Sequence, residues 1–160
     1  GGCANGNKTG KNETSKSDTV VTEDKKLKFV VAPQYEGKTS ELIELGKKIT
    51  DKHPEIGSKG NMAIYFTCAV SDGRAALMLV NKTDVDIKKD IEFSLSWSYD
   101  GKIIFDNQKI SYAIKDSGEL LSYTTTLILL PLNSEQLEIV DSMSEPSKMK
   151  LSMSDVKSID

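Results

Sequence analysis

The stretch IEFSLSWSYDGKIIFD, residues 91–106, narrows the folds open to this chain more than any other. Ile91, Phe93, Leu95 and Trp97 recur with a period of two, and Glu92, Ser94, Ser96 and Ser98 fill the gaps. Successive side chains of an extended strand point to opposite faces, so this strand has one dry face and one wet face. A sheet with one solvated side is characteristically antiparallel. Asp100-Gly101 then supplies a preferred dipeptide for a two-residue hairpin turn, because both central residues of a type I′ turn need positive φ.

The same grammar runs through the rest of the chain. MAIYFTCAV and AALMLVN flank SDGR, and Asp72-Gly73 predicts a hairpin there. QKISYAI and LLSYTTTLILL flank KDSGE and predict another, with Gly118 in its loop. EQLEIV and KMKLSMS predict two further short strands. Earlier, KLKFVVAP alternates and stops at Pro33, as a first strand does. TSELIELGKKIT is the one convincing helix, over about residues 39–50, with Leu42, Leu45 and Ile49 on one stripe. Thr39 or Ser40 is placed to cap it, and its acids precede its lysines, as the helix dipole favours. We expect a mainly β protein: an antiparallel sandwich or partly open barrel of about seven to nine strands, with the early helix covering a face or an end.

Residues 1–26 read differently. Ala4, Val20 and Val21 are their chief apolar side chains, among Gly, Asn, Ser, Thr, Lys and acids. Such a segment buries too little surface to offset its ordering entropy, so it predicts a disordered tether ahead of one globular β domain over residues 27–160. Twenty such residues reach roughly 25 Å.

Composition removes several functions. Net charge is −3 with both signs interspersed, which argues against nucleic acid as a partner. The longest apolar run, residues 127–132, contains Pro131 and falls far short of the ~20 residues a membrane helix needs. His53 is the sole histidine and stands between Lys52 and Pro54, a solvated turn position and a poor base. Cys68 lacks cationic neighbours and reads as a buried structural thiol, and a disulfide from it to Cys3 is disfavoured. Asp84, Asp86 and Asp90 lack calcium-loop spacing and read as a solvated loop. No zinc, phosphate-loop or dinucleotide motif is present. No catalytic residue, metal or cofactor is expected. Asn12 and Asn81 head sequons that matter only in a glycosylating host. Trp97 alternates with core positions, whereas Tyr99 and Tyr112 are better placed for the surface.

The order Gly2-Cys3, polar tether, β-rich domain resembles a mature Gram-positive bacterial lipoprotein. The resemblance implies that Cys3 carries a thioether-linked diacylglycerol, palmitate being one such acyl chain, and that the protein works at the outer face of the cytoplasmic membrane. Two acyl chains suffice for stable anchoring where one is marginal. Lys8, Lys11 and Lys16 would then touch anionic lipid weakly, at ~1 kcal/mol each before Glu13 and Asp18 offset two of them.

Size and layout look like those of the small immunity lipoproteins of lantibiotic producers, such as the subtilin-type one. That likeness implies a monomeric, non-catalytic protein that sequesters a cationic antimicrobial peptide. The acids Glu135, Glu138, Asp141 and Glu145 of the C-terminal part are the candidate peptide-binding residues. Residues 77–108 are also similar to small immunoglobulin-like modules of Gram-positive surface proteins. That alternative implies a cell-envelope module binding a protein or wall polymer.

Overall fold

The computed structural model describes residues 25–37 and 40–159. The tether expected over residues 1–26 lies outside the described residues except for Lys25 and Lys26, and Cys3, Lys8, Lys11 and Lys16 lie outside them altogether.

Among the described residues seven strands form two sheets, so the expected mainly β sandwich is the observed fold. The strands are β1 (Lys28–Phe29), β2 (Met62–Ser71), β3 (Arg74–Asn81), β4 (Ile91–Tyr99), β5 (Lys102–Tyr112), β6 (Thr124–Pro131) and β7 (Met149–Ser158). The helices are α1 (Glu41–Lys52), α2 (Ile114–Ser117) and α3 (Ser134–Asp141). One sheet runs β1-β6-β3-β2 and the other β5-β4-β7. All pairs are antiparallel except β1 with β6.

Both predicted turns form. Asp72-Gly73 and Asp100-Gly101 each hold two consecutive positive φ angles, 52° and 72°, then 51° and 78°. They close the β2–β3 and β4–β5 hairpins, whose right-handed twist such turns match. The strand 91–99 alternates buried and half-exposed residues along its whole length, as its sequence dictates. On its wet face Glu92 lies 3.7 Å from Lys109 of β5 and 3.6 Å from Lys157 of β7, tying three strands together.

Burial on two faces explains why β3 reads as an unbroken apolar run. Leu77 and Leu79 face the core between the sheets, with Phe66, Phe93, Leu95, Trp97 and Ile128. Ala76, Met78 and Val80 face a second core beneath α1, with Leu27, Ile49, Tyr65 and Leu127. A strand covered on both sides needs no polar register. α1 starts at Ser40, whose hydroxyl accepts from the Leu42 N–H at 3.1 Å, and it covers a face of the four-stranded sheet. Its buried stripe is Ile43, Gly46, Ile49 and Thr50, with Leu42 and Leu45 only half-buried.

Four expectations need correction. EQLEIV is not a strand but most of α3: Asn133 and Gln136 make a reciprocal capping box, and the strand-like alternation of a six-residue run yields to it. KIIFD and QKISYAI are largely one strand, β5, which continues through a bulge at Asn107. The KDSGE loop does not close a hairpin, because β5 and β6 belong to different sheets. KLKFVVAP pairs over only two residues before the chain leaves the sheet.

Candidate functional site

Each sequence-nominated residue has a definite place. His53 caps the C-terminus of α1, with its Nδ1 3.2 Å from the exposed Glu55 carboxylate. Asp86 accepts from the Ser122 N–H at 2.8 Å and Asp90 from the Ile114 N–H at 2.9 Å. These two acids are loop staples rather than freely solvated groups. No group of three metal-binding side chains occurs among the described residues.

Two aromatic assignments change. Tyr99 and Tyr112 are core residues rather than surface ones, at 6% and 2% exposure. The Tyr99 hydroxyl accepts from the N–H groups of Ser144 (3.0 Å) and Glu145 (2.9 Å), which lowers its pKa. The Tyr112 hydroxyl donates to the Gly118 carbonyl at 2.7 Å, and burial raises its pKa. Trp97 is buried as expected, with the Phe66 ring edge-on at 4.9 Å. Asn81 is fully buried, and its amide donates to the Val85 and Leu120 carbonyls at 2.9 and 3.0 Å. A glycan does not fit there in the folded protein.

Cys68 is not a buried free thiol. It is half-buried, adopts φ 70° in the bulge between Phe66 and Ala69, and is disulfide-bonded. From this edge-strand bulge Cys68 packs, half-buried, against the inter-sheet core. The other cysteine of these 160 residues is Cys3.

The four nominated acids separate into two groups. α3 lies across the start of β5, held by the Gln136 amide donating to the Ile104 carbonyl at 2.7 Å and by Val140 and Met143 in the inter-sheet core. Between them runs an open groove of about 600 Å³. Glu135 and Glu138 line one wall with Ile139, and Lys102 and Ile103 line the other. Ile103 is 60% exposed, one of the largest exposed apolar side chains among the described residues. Neither glutamate forms an ion pair among the described residues. Asp141 is exposed at the end of α3 and outside the groove, and Glu145 is engaged by Lys148 at 3.6 Å. Sequence reasoning found the two acids but missed Ile103. Its signal was present: it stands opposite Ser98, on the wet face of the hairpin.

This arrangement has two unneutralised carboxylates, an exposed aliphatic side chain and an open shape. Chemically, the carboxylates can meet positive charge and Ile103 and Ile139 can meet apolar side chains. No helix among the described residues is long and apolar enough to cross a membrane. No family model matches the chain, and neither a curated protein nor a solved structure is similar to it.

Proposed function

We propose that the protein is a non-catalytic binding protein that captures a cationic, amphipathic peptide in the groove between α3 and β5. The observation that carries this reading is the pairing of Glu135 and Glu138 with the exposed Ile103 across one groove. Lysine side chains of a ligand meet the carboxylates while its apolar residues cover Ile103 and Ile139. Lys102 on the opposite wall limits the field, so recognition needs both the charge and the apolar contact. The setting we propose is the outer face of a membrane, with Cys3 as the lipid attachment point in molecules where it is not the disulfide partner of Cys68, and self-protection against a lantibiotic-type peptide as the biological role.

Titration of the ¹⁵N-labelled domain with a short amphipathic lysine-rich peptide tests the binding. Shifts at Ile103, Glu135 and Glu138 are expected, weakening as salt rises. Replacing both glutamates by glutamine removes two exposed charge contacts and weakens binding by about tenfold, since each is worth ~0.2–1 kcal/mol. An unchanged spectrum at low salt, or equal affinity for the doubly substituted protein, sinks the reading. The anchor has its own test, because a Cys3 sulfur in a thioether is not at the same time in a disulfide. Peptide mass spectrometry of the membrane-associated protein is expected to find a diacylglyceryl increment on the Cys3 peptide. A Cys3–Cys68 cross-linked peptide there instead overturns the anchor and leaves the groove proposal standing.

A further inference from the structure

A second cleft lies toward the other end of β5, where β6 loses its neighbour. β1 pairs with β6 only at Thr124 and Thr125. The last backbone link is the Val30 N–H donating to the Thr125 carbonyl at 2.9 Å, with the Thr126 hydroxyl donating to the Val30 carbonyl at 2.7 Å beside it. On the other side, the Leu132 N–H donates to the Gly73 carbonyl of the β2–β3 turn at 2.9 Å. Peptide groups alternate direction along a strand. Even-numbered residues of β6 therefore turn toward β3, and Leu127 and Leu129 turn toward the side with no strand. Among the described residues no backbone hydrogen bond crosses that side beyond Val30.

This edge differs from the others. The long edge strands β2, β5 and β7 each carry one residue with positive φ inside the strand: Cys68, Asn107 and Asp155. Such bulges spoil an edge for further pairing. Residues 126–130 are free of positive φ and of charge. Beside them opens a cleft of about 170 Å³, bounded by β6, the end of β5 and the turn at Pro33–Tyr35. Phe93, Ile110, Ile128 and Leu130 contribute apolar walls. A cavity of about 150 Å³ takes a benzene-sized group, so this one takes one apolar side chain.

Arg74 stands at the cleft, and it is the only arginine in the sequence. It forms no ion pair among the described residues. Its planar fork is the side chain best shaped for a carboxylate. Tyr35 and Gln34 line the cleft with it. Burial raises the Tyr35 pKa while the Arg74 charge opposes the rise, so the two groups sense one another.

We infer that this cleft binds the C-terminal residue of an extended peptide. The terminal apolar side chain fills the cleft, the α-carboxylate meets Arg74, and the peptide backbone pairs with the open edge of β6 at Leu129. Strand addition supplies the backbone bonds, and the cleft and the arginine select the chain end. The site is separate from the α3 groove and does not depend on it.

The probe is an acetylated, uncharged pentapeptide ending in Val-Leu with a free carboxylate, titrated into the ¹⁵N-labelled protein. The Leu129 amide and the Arg74 Nε–H are expected to shift together. Amidating the peptide terminus and the substitution Arg74→Gln are each expected to weaken binding about tenfold, the loss of one charge-assisted contact. Arg74 is exposed, so the variant keeps its fold, checked by circular dichroism. 4-Methylpentanoate, which has the side chain and carboxylate without a peptide group, is expected to move Arg74 and leave Leu129 in place. Three results overturn the inference: no shift at Leu129 with millimolar peptide, equal binding of acid and amide, or shifts confined to the α3 groove.

Discussion

Asn81 shows how much one side chain organises. Its amide donates to Val85 and Leu120, and its carbonyl oxygen accepts from the Thr83 N–H at 3.0 Å and the Thr83 hydroxyl at 2.6 Å. All its bonding capacity is used inside the protein, at the point where the chain leaves one sheet for the other. Ile87 and Leu120 then bridge the crossover, and the Ser122 hydroxyl donates to the Thr83 carbonyl. Asn81→Ala removes four side-chain hydrogen bonds from the crossover, but the Leu120 carbonyl keeps the Ile87 N–H and the Val85 carbonyl keeps the Thr83 hydroxyl, so the expected cost is about 1–3 kcal/mol. Urea unfolding followed by Trp97 fluorescence measures the loss, and a change within a few tenths of a kcal/mol contradicts the role. The sequence displayed Asn81 only as the head of a sequon, because a buried amide at a strand end and a glycan acceptor carry the same letters. Tyr99 and Tyr112 misled in the same way. A tyrosine near a strand end is read as amphipathic, yet the Tyr112 hydroxyl bonds the Gly118 carbonyl just past its own strand and the Tyr99 hydroxyl accepts from Ser144 and Glu145 in a loop distant in the chain, a contact no local pattern encodes.

At the scale of elements, α1 depends on one missing methyl group. A Cβ built at Gly46 falls 2.4 Å from Cε1 of Phe29, so the helix seats on the β1 ring through its glycine. Gly→Ala in a helix interior ordinarily stabilises by about 1 kcal/mol. Here the ring and helix must separate, and Gly46→Ala is expected to cost about 1–2 kcal/mol net. Adding Phe29→Leu to Gly46→Ala is expected to recover part of that loss, so a thermal-unfolding cycle of both single variants and the double variant checks the contact. Additive effects exclude it. Hairpins and α1 were legible because their signals are local: Asp-Gly turns, period-two strands, an N-cap serine. The pairing of β1 with β6 joins Lys28 to Thr124, which no neighbouring residues announce. α3 was misread because six residues hold too few repeats to separate the two periods, while the decisive Asn133–Gln136 box straddles the start of the run. Half of the groove was visible as acids, and its apolar half appeared only when β5 was set beside α3.

The whole molecule is two cores sharing one sheet, and each core contains a tyrosine that burial holds neutral. Tyr65 sits under α1, its pKa pushed up to about 12 by burial and by the nearby Glu55 charge. Tyr112 sits between the sheets, its pKa raised by burial. In the unfolded chain both titrate near 10. Above that pH the unfolded state gives up protons that the folded state retains, so the folded state binds more protons and stability falls as pH rises. The contribution is fully present below about pH 10 and declines above it, by at most ~1.4 kcal/mol per pH unit for each tyrosine. Lys82 and Tyr99 act in the opposite direction, because their folded pKa values are lowered. Single variants therefore isolate the effect better than the wild-type curve does. Tyr112→Phe and Tyr65→Phe are each expected to flatten the decline between pH 10 and about 11.5, relative to wild type, in urea unfolding at fixed ionic strength. Because the shared sheet couples the cores, Trp97 fluorescence and far-ultraviolet circular dichroism are expected to report one transition at each pH. A slope unchanged by either variant refutes the burial argument. Two separate transitions refute the coupling, and would mean that α1 and its core release from the sandwich before the sheets part.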